Sequence, residues 1–94
     1  MAIKFHYHNA VRDVRRLDIR RGDRCCHVYS DESLDELLAW AQSRGIEPDW
    51  LDHRHTLPHF DAHGDWLRSC GPGVTRRELV ADIRTWRRRR AHGE

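Results

Sequence analysis

One short segment of this chain is rich in side chains that bind metals or transfer protons. Between Asp52 and His63 the sequence holds four His and two Asp residues. If residues 59–63 are extended, alternation places His59, Asp61 and His63 on one side of the strand, with neighbours on that side about 6.5–7 Å apart. Imidazole and carboxylate groups together suit zinc, manganese or iron. The segment therefore contains the strongest candidates for a metal or acid–base site.

Two further His residues can join this segment if the predicted strands pair. The metal hypothesis takes His27, His59 and Asp61 as ligands of a divalent ion (Zn, Mn or Fe), with His6 as a fourth member. The spacing matches no specific signature such as His-Glu-x-x-His. Two alternatives remain open. The same residues could perform metal-free acid–base catalysis, or they could be structural, with Asp61 capping the following helix and the imidazoles making ordinary polar contacts.

Other reactive side chains have weaker support. Cys25 shares a strand face with His27 and is the only thiol we retain as a nucleophile, because the Cys26 side chain points the opposite way. The neighbouring His53 and His55 flank an arginine and are expected to be solvated loop residues. No Ser or Thr stands in a recognisable nucleophile context.

A second hypothesis concerns the arginine-rich end of the chain. Residues 1–83 carry 12 Lys or Arg against 14 Asp or Glu, whereas residues 84–94 carry five Arg against one Glu, so the net charge of +2 arises in the tail. One helical stripe bears arginines spaced i, i+7 and i+11 and continues into the terminal run; these residues are Arg77, Arg84, Arg88, Arg89 and Arg90. Such a stripe could bind nucleic acid or another polyanion. The alternatives are a solvated end that matches the helix dipole, and docking of a protein partner.

The elements that would position these residues follow from periodicity. Ile3, Phe5 and Tyr7 alternate with polar residues, which predicts a strand with one apolar face. A second short strand is predicted over residues 24–29. Residues 9–23 are dense in Arg and Asp and predict a loop or one loose helical turn.

Two helices carry clear start signals. Ser33 and Glu36 have capping-box spacing, and the apolar residues that follow predict an amphipathic helix that stops at Gly45. Thr75 and Glu78 form a second capping box at the start of the final helix. The expected buried stripe of that final helix comprises Leu79, Val80, Ile83 and Trp86.

Length and composition describe one small domain. The 94 residues are 38% hydrophobic and 34% charged, so a charged surface must surround a thin core. We predict a single α+β domain over residues 1–94, in which two or three short strands form a small sheet with about three helices on one face. Residues 84–94 form its arginine-rich helix end. The four Trp are expected to help fill the core, and a thin core favours a homodimer or a protein partner.

The chain carries no sign of a membrane or secretory destination. No stretch approaches the ~20 consecutive apolar residues of a membrane helix, and the N terminus lacks a signal-peptide pattern. Three Cys, two of them adjacent, do not form a disulfide framework. We therefore expect a cytoplasmic protein without a membrane partner.

Several of these motifs together resemble a known bacterial family. Residues 26–31 with the Leu-rich helix after them, the Pro-Asp-Trp turn at 48–50, the triplet His59-Phe60-Asp61 and the stretch 73–80 are similar to the domain-of-unknown-function family 4031. That family has a His-Tyr-Asp signature, in which Phe60 here replaces the Tyr. The resemblance implies a small α+β domain and leaves the activity unassigned.

Overall fold

The computed structural model describes residues 2–54 and 57–91. Three strands form one antiparallel sheet in the order β1-β2-β3. The strands are β1 (Ile3–Asn9), β2 (Arg24–Ser30) and β3 (Phe60–His63). The α-helices are α1 (Leu34–Ser43) and α2 (Arg76–Ala91), and short 3-10 turns occur at Arg15–Leu17, Pro48–Trp50 and Gly64–Ser69. The expectations for His55 and for the chain beyond Ala91 fall outside the described residues.

The sheet has one apolar face and one polar face because side chains alternate along each strand. Phe5, Cys26, Val28 and Phe60 lie on the apolar face, where the last three are fully buried. Leu37, Ala41 and Ile46 cover this face and complete the core cluster. The predicted alternation in the first two strands is confirmed.

The first helix begins and ends where the capping signals place it. The Ser33 hydroxyl accepts a hydrogen bond from the backbone N–H of Glu36, 3.1 Å away. The Glu36 carboxylate does not return the bond to Ser33; it accepts from the Ser30 hydroxyl at 2.7 Å instead. At the other end Gly45 adopts φ 71°, the left-handed conformation that follows many helix ends.

The final helix contacts the polar face of the sheet, opposite α1. Lys4 of β1 lies 3.0 Å from both Asp82 and Glu78 of α2, and the Tyr29 hydroxyl donates to Asp82 at 2.7 Å. Leu79, Val80, Ile83 and Trp86 are each partly buried and no residue of α2 is fully buried, so the expected buried stripe is only half-buried. Ion pairs between Lys4 and the acidic residues of α2 add to this contact.

Three of the four tryptophans support the core as expected. Trp40, Trp50 and Trp66 are partly buried and pack against the core cluster. Trp86 lies on α2 instead, where its indole N–H donates to the Ser30 carbonyl at 3.0 Å. The α+β class is confirmed, but α1 and α2 pack on opposite faces of the sheet rather than on one. No helix within the described ranges is long and apolar enough to cross a bilayer.

Candidate metal centre on the polar face of the sheet

The strand register places three of the predicted site residues in one row across the sheet. His6 of β1 pairs with His27 of β2, and His27 pairs with Asp61 of β3. All three side chains emerge on the polar face, opposite the core. The position of this row follows directly from the antiparallel register.

One oxygen atom of Asp61 lies close to two imidazoles. Its Oδ1 lies 3.4 Å from Nε2 of His27 and 3.5 Å from Nε2 of His59. His59 precedes β3 and is held by an antiparallel bridge to Asp52. Its Nδ1 lies 2.9 Å from the Leu57 carbonyl. A carbonyl oxygen only accepts, so Nδ1 carries a hydrogen and Nε2 is the atom directed at Asp61.

His8 stacks on this cluster from the first strand. Its ring centroid lies 4.0 Å from that of His27, with the planes 22° apart. The His6 ring is further from His27, at 5.8 Å. Both β1 imidazoles contain a buried nitrogen without a hydrogen-bond partner, Nδ1 of His6 and Nε2 of His8. A buried nitrogen without a partner is costly, so each is a position where an additional ligand would stabilise the protein.

Asp52 brings a second carboxylate to the cluster. Its side chain is 8% exposed, and one oxygen lies 3.9 Å from Nε2 of His59. The Arg54 guanidinium binds both oxygens of Asp52, at 3.2 and 2.9 Å. These hydrogen bonds hold the pKa of Asp52 well below its usual range.

Two groups of three donors lie close enough to hold a metal ion within the described ranges. The first comprises His8, His27 and Asp61, and the second comprises Asp52, His59 and Asp61. In each group the ligand atoms lie within 4.8 Å of one another. Asp61 belongs to both groups.

Burial and neighbouring charges keep the strand imidazoles neutral. Burial, with the nearby His8 and His59, lowers the pKa of His27 to about 4. Burial also lowers the pKa of His8 and of His6. A neutral imidazole has a free lone pair, so these rings are already in the protonation state that a metal requires.

The contact between His59 and Asp61 shifts the pKa of both groups. Burial lowers the pKa of His59, but the hydrogen bonds to Asp61 and to the Leu57 carbonyl outweigh burial and raise that pKa. Burial raises the pKa of Asp61. The hydrogen bond and the charge of His59 lower that pKa by a larger amount, so the pKa of Asp61 is below its usual value. Asp61 is therefore a carboxylate at neutral pH.

The structure brings together three of the four residues taken as ligands and adds two more. His27, His59 and Asp61 meet, while His6 lies beside them and belongs to neither donor group. Sequence reasoning missed His8, although it shares the strand face of His6, and Asp52, although it opens the His-rich segment. His63 turns away to contact the Trp66 ring.

The thiol candidate is unsuited to nucleophilic chemistry. Cys25 is 1% exposed, and its thiol lies 3.6 Å from the Asp23 carbonyl. Burial raises the pKa of Cys25, which disfavours the reactive thiolate. The described cysteines are all free.

Most of the arginine stripe of α2 is exposed to solvent. Arg77, Arg84, Arg88 and Arg90 are exposed, and Arg89 is half-buried, with its guanidinium donating to the Glu32 carbonyl. Arg88 makes a local hydrogen bond to Thr85 within the helix. Arg77, Arg84 and Arg88 thus lie on the side of α2 that does not contact the sheet, whereas Arg89 contacts the connection between β2 and α1.

The comparison with protein families places this site in context. The model of the family described as a protein of unknown function (DUF4031) matches residues 13–85. No curated protein and no solved structure gives a significant match. His27, His59, Asp52 and Asp61 all lie inside the matched segment, whereas β1 precedes it. The chain therefore belongs to the DUF4031 family.

Proposed function

We propose that this domain binds a divalent metal ion at the cluster around Asp61. The observation that carries the proposal is the meeting of His8, His27 and Asp61, with ligand atoms within 4.8 Å of one another. These residues come from three different strands, so only the folded sheet assembles the group. Two imidazoles and one carboxylate form a common ligand set for zinc, manganese or iron.

The protonation states of the first donor group suit metal binding. His27 and His8 are neutral at pH 7 because burial lowers their pKa, and Asp61 is ionised. An ion bound by these residues would also satisfy the His8 ring, whose Nε2 is buried without a partner. Metal binding therefore requires no proton loss from these two rings.

His59 supports the same centre from the other side of Asp61. Its Nδ1–H is fixed on the Leu57 carbonyl, the arrangement that commonly orients a metal-binding imidazole. Nε2 is directed at Asp61, and this contact raises the pKa of His59, which favours a proton on Nε2 in the metal-free protein. A cation would displace that proton, after which His59 joins the ligands or positions the Asp61 carboxylate.

The test is direct measurement of metal binding by protein made without a histidine tag. After treatment with a chelator, Zn²⁺ and Mn²⁺ are titrated into wild type, Asp61→Asn and Asp65→Asn by calorimetry. Asp65 is an exposed aspartate on the neighbouring 3-10 turn and serves as the matched control. We expect stoichiometric binding by wild type and Asp65→Asn, and a loss of about 100-fold or more in Asp61→Asn.

Fe²⁺ is titrated in the same way under anaerobic conditions, and failure of the wild-type protein to bind any of the three ions would overturn the proposal. The cluster would then be a structural network of imidazoles around one carboxylate. Circular dichroism of Asp61→Asn distinguishes loss of a ligand from loss of the fold. The free thiols of Cys25 and Cys26 fit a reducing compartment, so we propose a cytoplasmic location for this activity.

A second candidate function is polyanion binding by the arginine stripe of α2. The specific observation in its favour is the orientation of the acidic residues on the same helix. Glu78 and Asp82 pair with Lys4 on the sheet side, so they do not neutralise the exposed Arg77, Arg84 and Arg88. Nucleic acid is one such polyanion.

A further inference from the structure

The Asp61 cluster opens onto a groove of about 720 Å³. One wall is the segment between β1 and β2, which places Val11 and Arg12 over the groove. The floor is formed by the imidazoles and carboxylates of the cluster. A bound ion would therefore have room on one side for a ligand that does not come from the protein.

The segment over the groove is ordered by its own hydrogen bonds. Ala10 donates to the Asp23 carbonyl at 2.8 Å, and Val14 and Ile19 form an antiparallel bridge. The Asp13 carboxylate accepts from the backbone N–H of Arg21 at 2.9 Å. The groove wall is thus a built part of the fold.

The charges that line the groove favour a dianion once a metal is present. Once the ion has displaced the His59 proton the imidazoles are neutral, and three arginines balance three aspartates along the groove, namely Arg12, Arg16 and Arg54 against Asp13, Asp52 and Asp61. A divalent ion at the cluster leaves a local excess of two positive charges. A ligand with two negative charges would neutralise that excess.

Arg12 is the arginine best able to bind such a ligand. Arg54 is engaged by both oxygens of Asp52, and Arg16 lies over the Trp50 ring at 5.8 Å. Arg12 is exposed and makes no ion pair with a residue in the described ranges. Its planar guanidinium can bind two phosphate oxygens at once.

The same wall offers an apolar surface beside the cation. Val11 is 84% exposed, the one large hydrophobic residue so exposed in the described part of the chain. Leu17 and Val14 extend the apolar lining of the groove. An apolar surface next to an arginine suits a ligand in which an apolar group is attached to an anionic group.

We propose that the groove binds a small phosphate monoester, with its phosphate between the metal ion and Arg12 and its apolar group against Val11. This inference rests on the proposed metal site, because the ion supplies the positive charge that the lining itself lacks. The carboxylates at the floor would repel the phosphate if no ion were present.

Phenyl phosphate is a suitable probe because it combines a dianion with an apolar ring. Calorimetry is performed with Zn²⁺-loaded wild type, Arg12→Gln and the control Arg20→Gln, an exposed arginine outside the groove. We expect Arg12→Gln to weaken phenyl phosphate binding about tenfold or more, as for loss of a charge-assisted hydrogen bond. Arg20→Gln should bind as wild type, and all three should bind Zn²⁺ equally.

Two further arms test each half of the ligand. Val11→Ser should weaken the binding of phenyl phosphate but leave the affinity for inorganic phosphate unchanged. Benzoate, with a single charge, should bind more weakly than phenyl phosphate, and equal affinity would overturn the assignment to a phosphate. If zinc binds but phenyl phosphate does not, this inference is wrong and the metal site stands. If zinc itself does not bind, the proposed function and this inference are both overturned.

Discussion

Nε2 of His27 lies 3.4 Å from Oδ1 of Asp61, its partner across the β2–β3 ladder. The same oxygen receives His59, so one carboxylate serves two imidazoles. Burial, with the nearby His8 and His59, lowers the pKa of His27, whereas the hydrogen bonds of His59 to Asp61 and to the Leu57 carbonyl outweigh burial and raise the pKa of His59. Two imidazoles that contact the same oxygen atom therefore differ in pKa, and His27 is the one that is neutral and ready to bind a metal.

The first prediction separates the two imidazoles of β1. His8→Ala should weaken Zn²⁺ binding about tenfold or more because it removes a donor of the first group. His6→Ala should change affinity little, since His6 lies outside both groups. The two residues occupy the same face of one strand and are both partly buried, so each variant serves as the control for the other. Equal loss in both variants would contradict the assignment of His8.

Much of this site could be predicted because strand alternation is a local property. The period-two pattern around Phe5 fixes the polar face of β1, and the pattern of residues 24–29 does the same for β2. His27 and Asp61 each lie on the side that the alternation predicts. Once the strands pair in the observed register, His27 and Asp61 are neighbours, and no further information is needed to place them together.

Strand alternation could not predict that His8 rather than His6 belongs to a donor group, or that Asp52 lies beside His59. His6 is the direct partner of His27, yet His8 lies closer to its ring, and that diagonal contact depends on the twist of the sheet. Asp52 reaches the cluster through its bridge to His59. The side on which α2 packs likewise depends on the distant Lys4.

The second prediction concerns pH and the metal-free domain. The pKa of His27 falls from 6.5 to about 4 on folding, so the unfolded chain takes up this proton at a higher pH than the folded protein. Stability is therefore lost as the pH falls from 6.5 towards 4. At ~1.4 kcal/mol per unit, His27 alone would account for about 3 kcal/mol. The raised pKa of His59 acts in the opposite direction and offsets part of this loss.

Chemical denaturation across this pH range, in the presence of a chelator, measures the effect. His27→Gln should flatten the dependence on pH, because glutamine does not titrate. The exposed His53→Gln is the matched control and should keep the wild-type slope. A wild-type slope in His27→Gln would show that another group causes the acid sensitivity.

The third prediction concerns the attachment of α2. The Lys4 ammonium is surrounded by Asp31, Glu78 and Asp82, at 3.5, 3.0 and 3.0 Å. Lys4→Met would leave three carboxylates facing one another with no cation between them. We expect a loss of about 2 kcal/mol in the free energy of unfolding, which is large for a substitution at a single ion-pair cluster.

Tyr29→Phe provides a graded comparison for the same contact. It removes only the hydroxyl that donates to Asp82 and should cost about 1 kcal/mol. Thermal unfolding followed by circular dichroism and by tryptophan fluorescence, to which Trp86 of α2 contributes, measures both losses. If Lys4→Met unfolds at the wild-type temperature, the ion pairs do not hold the helix.

The last prediction tests the arginine stripe against the acidic remainder of the domain. If the stripe binds polyanions, each arginine in contact releases counterions, and affinity for heparin or duplex DNA falls steeply with salt. Arg77, Arg84 and Arg88 are exposed on one side of α2. Replacing all three by Gln should reduce the slope of log affinity against log salt concentration by roughly two to three. Replacing the exposed Arg20, Arg21 and Arg68 by Gln removes the same charge from elsewhere and should leave most of the slope intact. An equal reduction in both triple variants would mean that net charge alone governs binding, and the stripe would then have no special role.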